Sequence, residues 1–115
     1  MNAQINSAEM MYDQHVVAFK KIFYQALVDV ENALSSVDDY KQQVAKLQQA
    51  VAYAYEEERA YAIQYKIGTG PLQALLDANE AVRNAELSLS IANYDVLVSE
   101  VALFAALGNG VDMPQ

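Results

Sequence analysis

The chain has 115 residues, 54% of them apolar, with only four glycines and two prolines, which is the size of one domain and too apolar for a disordered tail. Fifteen acidic side chains against seven basic ones give a formal net charge of −8, which repels a phosphate backbone and argues against nucleic acid as a partner. The absence of cysteine excludes disulfides and thiolate metal sites but fits cytosol and periplasm equally.

The opening Met1-Asn2-Ala3-Gln4 has neither a basic region nor an apolar run, so it does not read as a signal peptide. No segment offers about 18 uncharged apolar residues, the length of a membrane span, and the chain itself is expected to be soluble. The address of an exported parent would lie elsewhere. From Ile5 to Tyr65 there is no glycine or proline, and good helix formers dominate, which predicts a helix over about 5–66. Apolar positions step by three and four through Phe23, Leu27, Val30, Leu34, Val37, Tyr40, Val44, Leu47, Val51 and Ala54. Two successive steps of three, at Leu34, Val37 and Tyr40, read as a stammer that overwinds the supercoil.

Lys66-Ile67-Gly68-Thr69-Gly70-Pro71 must end this helix, because the glycines can take positive φ and the proline donates no backbone hydrogen bond. Pro71 suits the first turn of a second helix, with Thr69 or Gly70 near its N-cap. That helix is expected over 71–107, stopped by Gly108-Asn109-Gly110, with Val111 to Gln115 as a tail. Its repeat is regular: Leu75, Ala78, Val82, Ala85, Leu89, Ala92, Val96, Ser99, Leu103, Ala106. Large and small residues alternate, which lets a neighbouring helix approach closely at each small one. A second stripe, Leu87, Ile91, Tyr94, Val98, Val101 and Ala105, lies on another side.

Two seams on one helix belong to a helix placed inside a sheet-like or barrel-like array, since a two-stranded coil needs only one. At 1.5 Å per residue the second helix would span roughly 55 Å and the first roughly 90 Å. The first thirty or so residues therefore overhang, with Val16, Val17, Phe19, Ile22, Phe23 and Leu27 in need of cover. Either other chains or segments supply it, or helix one breaks near Ser35-Ser36-Val37-Asp38-Asp39 and folds back into a three-helix bundle. Ser35 with Asp38, or Ser36 with Asp39, imitates a capping box. The fold expected first is all-α, a long antiparallel coiled-coil hairpin forming a single segment over 1–115.

Nothing in the chain spells a catalytic or cofactor site. His15, the only histidine, has Asp13 two residues away and Glu9 six, neither spacing placing a ligand beside it on a helix. Glu56-Glu57-Glu58-Arg59 points in several directions and reads as a solvated face. Tyr53, Tyr55, Tyr61 and Tyr65 suit packing better than base stacking, given the acidity and the lack of interleaved basic residues. Gly68-Thr69-Gly70 follows a helix and lacks the Lys-Ser/Thr ending of a phosphate loop, so it reads as a turn. The expectation is a non-enzyme without metal or cofactor.

Three stretches together resemble the C-terminal helical hairpin of the TolC-like outer membrane efflux factors. Tyr24 to Leu34 (YQALVDVENAL) is similar to the long helix that leaves the family's membrane barrel. Tyr65-Lys66-Ile67-Gly68-Thr69-Gly70-Pro71-Leu72, with Leu76-Asp77-Ala78, resembles the periplasmic tip, and Val101 to Gly108 (VALFAALG) resembles the closing Ala-Leu-Gly segment. The resemblance covers nearly the whole chain, in the family's order and spacing, and corresponds to a C-terminal portion of such a protein.

This resemblance implies a homotrimeric outer membrane channel whose helices form a hollow periplasmic cylinder, a passive export conduit working with an inner-membrane pump. It implies docking of a periplasmic adaptor (membrane fusion) protein on the tip, through Ile67, Gly68 and Thr69. Tyr65 matches a tip tyrosine. Asp77 matches a position where an acidic residue per protomer would ring the narrow end and favour cations; stabilisation of the helix dipole is the alternative for it. Where some members carry a second acid and a tip arginine, this chain has Ala74 and Gly70. The rival reading is a freestanding, non-enzymatic oligomerisation or interaction module, and in either case a separated hairpin would be prone to non-native self-association.

Overall fold

A computed structural model describes residues 2–111, with side chains over 5–109. Two helices account for these residues: α1, Asn2–Ile67, and α2, Leu72–Val111. Among the described residues there is no strand. The expected all-α hairpin is therefore the fold, with two differences in its second helix, the first being that α2 begins at Leu72, with Pro71 just ahead of it. Helix α2 runs on through Gly108, Asn109 and Gly110 to Val111 instead of stopping at 107. Glycine in a helix costs about 1 kcal/mol relative to alanine but does not forbid it, and neither Gly108 nor Gly110 takes positive φ. Of the expected tail, 112–115 lies outside the described residues.

The fold-back at 35–39 is not adopted. Helix α1 is unbroken there, Val37 is buried, and Asp38 accepts a hydrogen bond from Gln42 Nε2, one turn on, at 2.9 Å. A side chain engaged along the helix in this way supports the helix instead of capping a new one.

The chain divides into two units, 36–99 and 1–35 with 100–115. In the first, the α2 seam is the one expected: Ala78, Val82, Ala92 and Ser99 are buried, and Leu75, Ala85, Leu89 and Val96 half-buried. The Ser99 hydroxyl donates to the Val96 carbonyl at 2.7 Å, so its burial leaves no polar group unpaired. Small residues recur every seven places, at 78, 85, 92 and 99, with a large aliphatic at 75, 82, 89 and 96. This strict heptad spacing is the condition for a left-handed supercoil. From α1 come Val37, Val44, Leu47, Val51, Ala54 and Glu58. Glu58 thus stands half-buried in the column that otherwise holds valines.

In the second unit the covered residues of α1 are Val16, Ala26, Val30 and Ala33, and those of α2 include Leu103 and Ala106. Here the sequence reading needs correction. Leu27 and Leu34 are exposed, and the seam passes through Ala26 and Ala33 instead. Substituting Ala33 for Leu34 restores the alternation, with Val30, Ala33, Val37, Tyr40 and Val44 stepping by three, four, three and four, so no stammer exists. The leucines are larger, but the close approach of two helices selects the alanines. Traced back at the same spacing, the line continues through Phe23, Phe19, Val16, Tyr12 and Ile5. Apart from Val16 these are exposed, Phe19 and Phe23 stacking on each other at 6.4 Å between centroids.

Candidate functional site: the hairpin tip and the uncovered helix faces

Helix α1 ends in a Schellman motif, and three donors converge on one carbonyl. The Gly68 N–H donates to the Tyr65 carbonyl at 3.1 Å, and the Thr69 N–H donates to the Gln64 carbonyl at 2.9 Å. The Gly70 N–H and the Thr69 hydroxyl reach that same Gln64 carbonyl at 3.1 and 3.3 Å. Thr69 therefore caps the end of α1, not the start of α2 as its position suggests. Gly68 sits at φ +88°, the left-handed region that glycine adopts without strain. Lys66 in the last turn of α1 places a cation against the negative end of its dipole.

The two glycines of the turn serve different ends. A Cβ on Gly68 would meet nothing within 4 Å, so only its backbone conformation calls for glycine. A Cβ on Gly70 would lie 2.9 Å from the Gln64 Cβ, so there the requirement is space. This close approach folds the turn back on the end of α1 and leaves Ile67, Gly68 and Thr69 exposed at the tip.

Tyr65 is exposed, and its carbonyl is engaged in the cap. Asp77 is exposed and accepts a hydrogen bond from Gln73 Nε2 at 2.9 Å. The first turn of α2 holds no acidic residue, so Asp77 stands beyond the reach of the helix dipole, which fades within that turn. His15 is exposed, and the described residues hold no group of three or more His, Cys, Asp or Glu placed to bind a metal.

Beyond the tip, the second stripe of α2 is bare. Leu87, Ile91, Tyr94, Val98, Val101 and Ala105 are all exposed, Tyr94 by 65%. The stripe also extends toward the tip at unbroken spacing through Asn84, Glu80, Asp77 and Gln73, likewise exposed. It is acidic and polar near the turn and apolar farther away. The sequence reading found its apolar part because hydrophobicity announces a seam, and missed the polar part because only its register marks it. The stripe lies roughly opposite the α1-facing seam, since each of its residues stands two places after a seam residue, a little over half a turn around the helix. Among the described residues, α2 alone is long and apolar enough to cross a membrane by length and composition, its best window averaging a hydropathy of 1.4. Asp95 and Glu100 fall in its apolar stretch, each costing about 2.5–3.5 kcal/mol at a bilayer centre, and its heptads account for the apolarity instead.

A helix pair bound by one tight heptad seam, carrying a second seam that no described residue covers, defines a component of a larger helical assembly. A sequence model of the outer membrane efflux proteins matches residues 1–109, nearly the whole chain. The chain belongs to that family. Its members are transport channel proteins, so the chain is a component of an efflux channel of the outer membrane with a periplasmic portion. Compared with curated proteins and with solved structures, it has no significant match.

Proposed function

We propose that the chain is the C-terminal periplasmic hairpin of its channel, one stave in an α-helical barrel that a homotrimer closes into a passive export conduit. The observation that carries this reading is the pair of opposite seams on α2, one filled by α1 and the other bare from Leu87 to Ala105. A helix apolar on two opposite faces needs a neighbour on each, which is the situation of a helix in a wall. The exposed Ile5, Tyr12, Phe19 and Phe23 need cover on the same ground.

In this reading the tip docks a periplasmic adaptor that links the channel to an inner-membrane pump. Ile67, Gly68 and Thr69 make the contact: they are exposed, and the glycine allows a partner's backbone to come close. Tyr65 and Asp77 belong to the narrowing at the tip. Polar residues at Gln73, Asp77, Glu80 and Asn84 let neighbouring helices part near the tip while the apolar stretch beyond holds them. A freestanding oligomerisation module would have no use for this polar start of the stripe.

Gly68→Asp tests the docking. Aspartate tolerates the left-handed region and its side chain enters open space, so helix content should stay unchanged. In the full-length protein, a photo-crosslinker at Ile67 should capture the adaptor, and the added aspartate should abolish the product. Undiminished crosslinking in the variant would remove these residues from the contact.

A further inference from the structure

The two broad faces of the hairpin over 36–99 differ in chemistry, and one hydrogen bond reveals which residues share a face. The Tyr55 hydroxyl donates to the Glu86 carboxylate across the pair. Each residue stands four places after a large seam residue, Tyr55 after Val51 and Glu86 after Val82, and in antiparallel coils these rows meet on one side of the seam. The rows six places after the large residues meet on the other.

Charge divides between the two sides. Of the five basic residues in 36–99, Lys41, Arg59, Lys66 and Arg83 stand in or next to the Tyr55–Glu86 row, together with the exposed Leu76 and Leu97. The fifth, Lys46, two places after Val44, stands next to the opposite row of α1. The opposite rows carry Gln43, Glu57, Gln64, Ser88 and Asp95, with alanine and serine between them. They contain no cation and no aliphatic side chain larger than alanine.

We infer that this second face lines the water-filled conduit and that the face with Tyr55 and the basic residues looks away from it. The inference rests on the wall reading above and adds which side of the stave is wet. On the concave side of a curved wall side chains converge, so small residues belong there, whereas the long Tyr55–Glu86 bridge spans the convex side, where rows diverge. A lining whose rows carry carboxylates and no fixed cation passes neutral and cationic solutes more readily than anions.

The chain contributes no cysteine, so single thiols can report the two faces in the full-length channel, reconstituted in planar bilayers. Gln43→Cys and Ser88→Cys test the lining face; Gln48→Cys and Ser90→Cys, all at exposed positions or at the seam's rim, test the other. A cationic trimethylammonium methanethiosulfonate reagent should cause a lasting loss of conductance in the first pair and none in the second. Loss in the second pair, in both pairs, or in neither while current flows overturns the assignment. Absence of current from the unmodified protein refutes the conduit reading itself, and the assignment with it.

Discussion

Replacing Ala92 by glutamate should cost the hairpin about 3–5 kcal/mol, the penalty of an uncompensated buried charge, and part the helices along their middle. Ala92 is only 3% exposed, in the column of small residues that lets α1 approach α2. A longer side chain must either displace α1 or bury a carboxylate between Leu89 and Val96, which cannot hydrogen-bond it. Ala45→Glu, on an exposed part of α1, should change stability by no more than about 0.5 kcal/mol. Urea unfolding followed by circular dichroism measures both. Equal midpoints for the two variants would mean that the α1–α2 seam does not hold the pair together.

The turn gives the second large effect. Gly70→Val should destabilise by about 1–3 kcal/mol through overpacking against Gln64, whereas Gly68→Ala should cost about 1–2 kcal/mol through backbone strain alone. The two differ in what rescues them. Gly68→Asn should recover part of the loss, because asparagine tolerates positive φ. Gln64→Ala should not rescue Gly70→Val, since the nearest atom is the Gln64 Cβ, which alanine keeps. Thermal unfolding of the single and double variants reads each outcome, and recovery in the Gln64 double variant would show that the crowding comes from the flexible end of the glutamine.

Much of this was legible in the sequence because heptad spacing is a geometric signal. All ten residues assigned to the α2 seam, from Leu75 to Ala106, are buried or half-buried. The α1 seam was harder. Choosing the largest apolar residue at each step led to Leu27 and Leu34, whereas packing against a close neighbour takes Ala26 and Ala33. Size measures hydrophobic gain, not fit. The turn was legible from its glycines and proline, but not the division of labour between Gly68 and Gly70, nor the role of Thr69 at the end of α1. Those depend on where the Gln64 carbonyl and Cβ lie, which no local pattern encodes. The end of α2 was misplaced because glycine lowers helix stability without ending a helix, and only the left-handed turn at Gly68 stops one here. The face of the hairpin that carries the basic residues became visible only once the Tyr55–Glu86 bond aligned the two helices.

The central claim is that α2 lies between two helical neighbours in the assembled channel. Thiol labelling of the full-length protein in its native membrane tests it most directly, with Ile91→Cys on the bare stripe and Ser90→Cys beside it. Both positions are exposed in the chain by itself. The account predicts that Ile91→Cys is protected from a water-soluble maleimide while Ser90→Cys is labelled. Labelling of Ile91→Cys as fast as Ser90→Cys would contradict it.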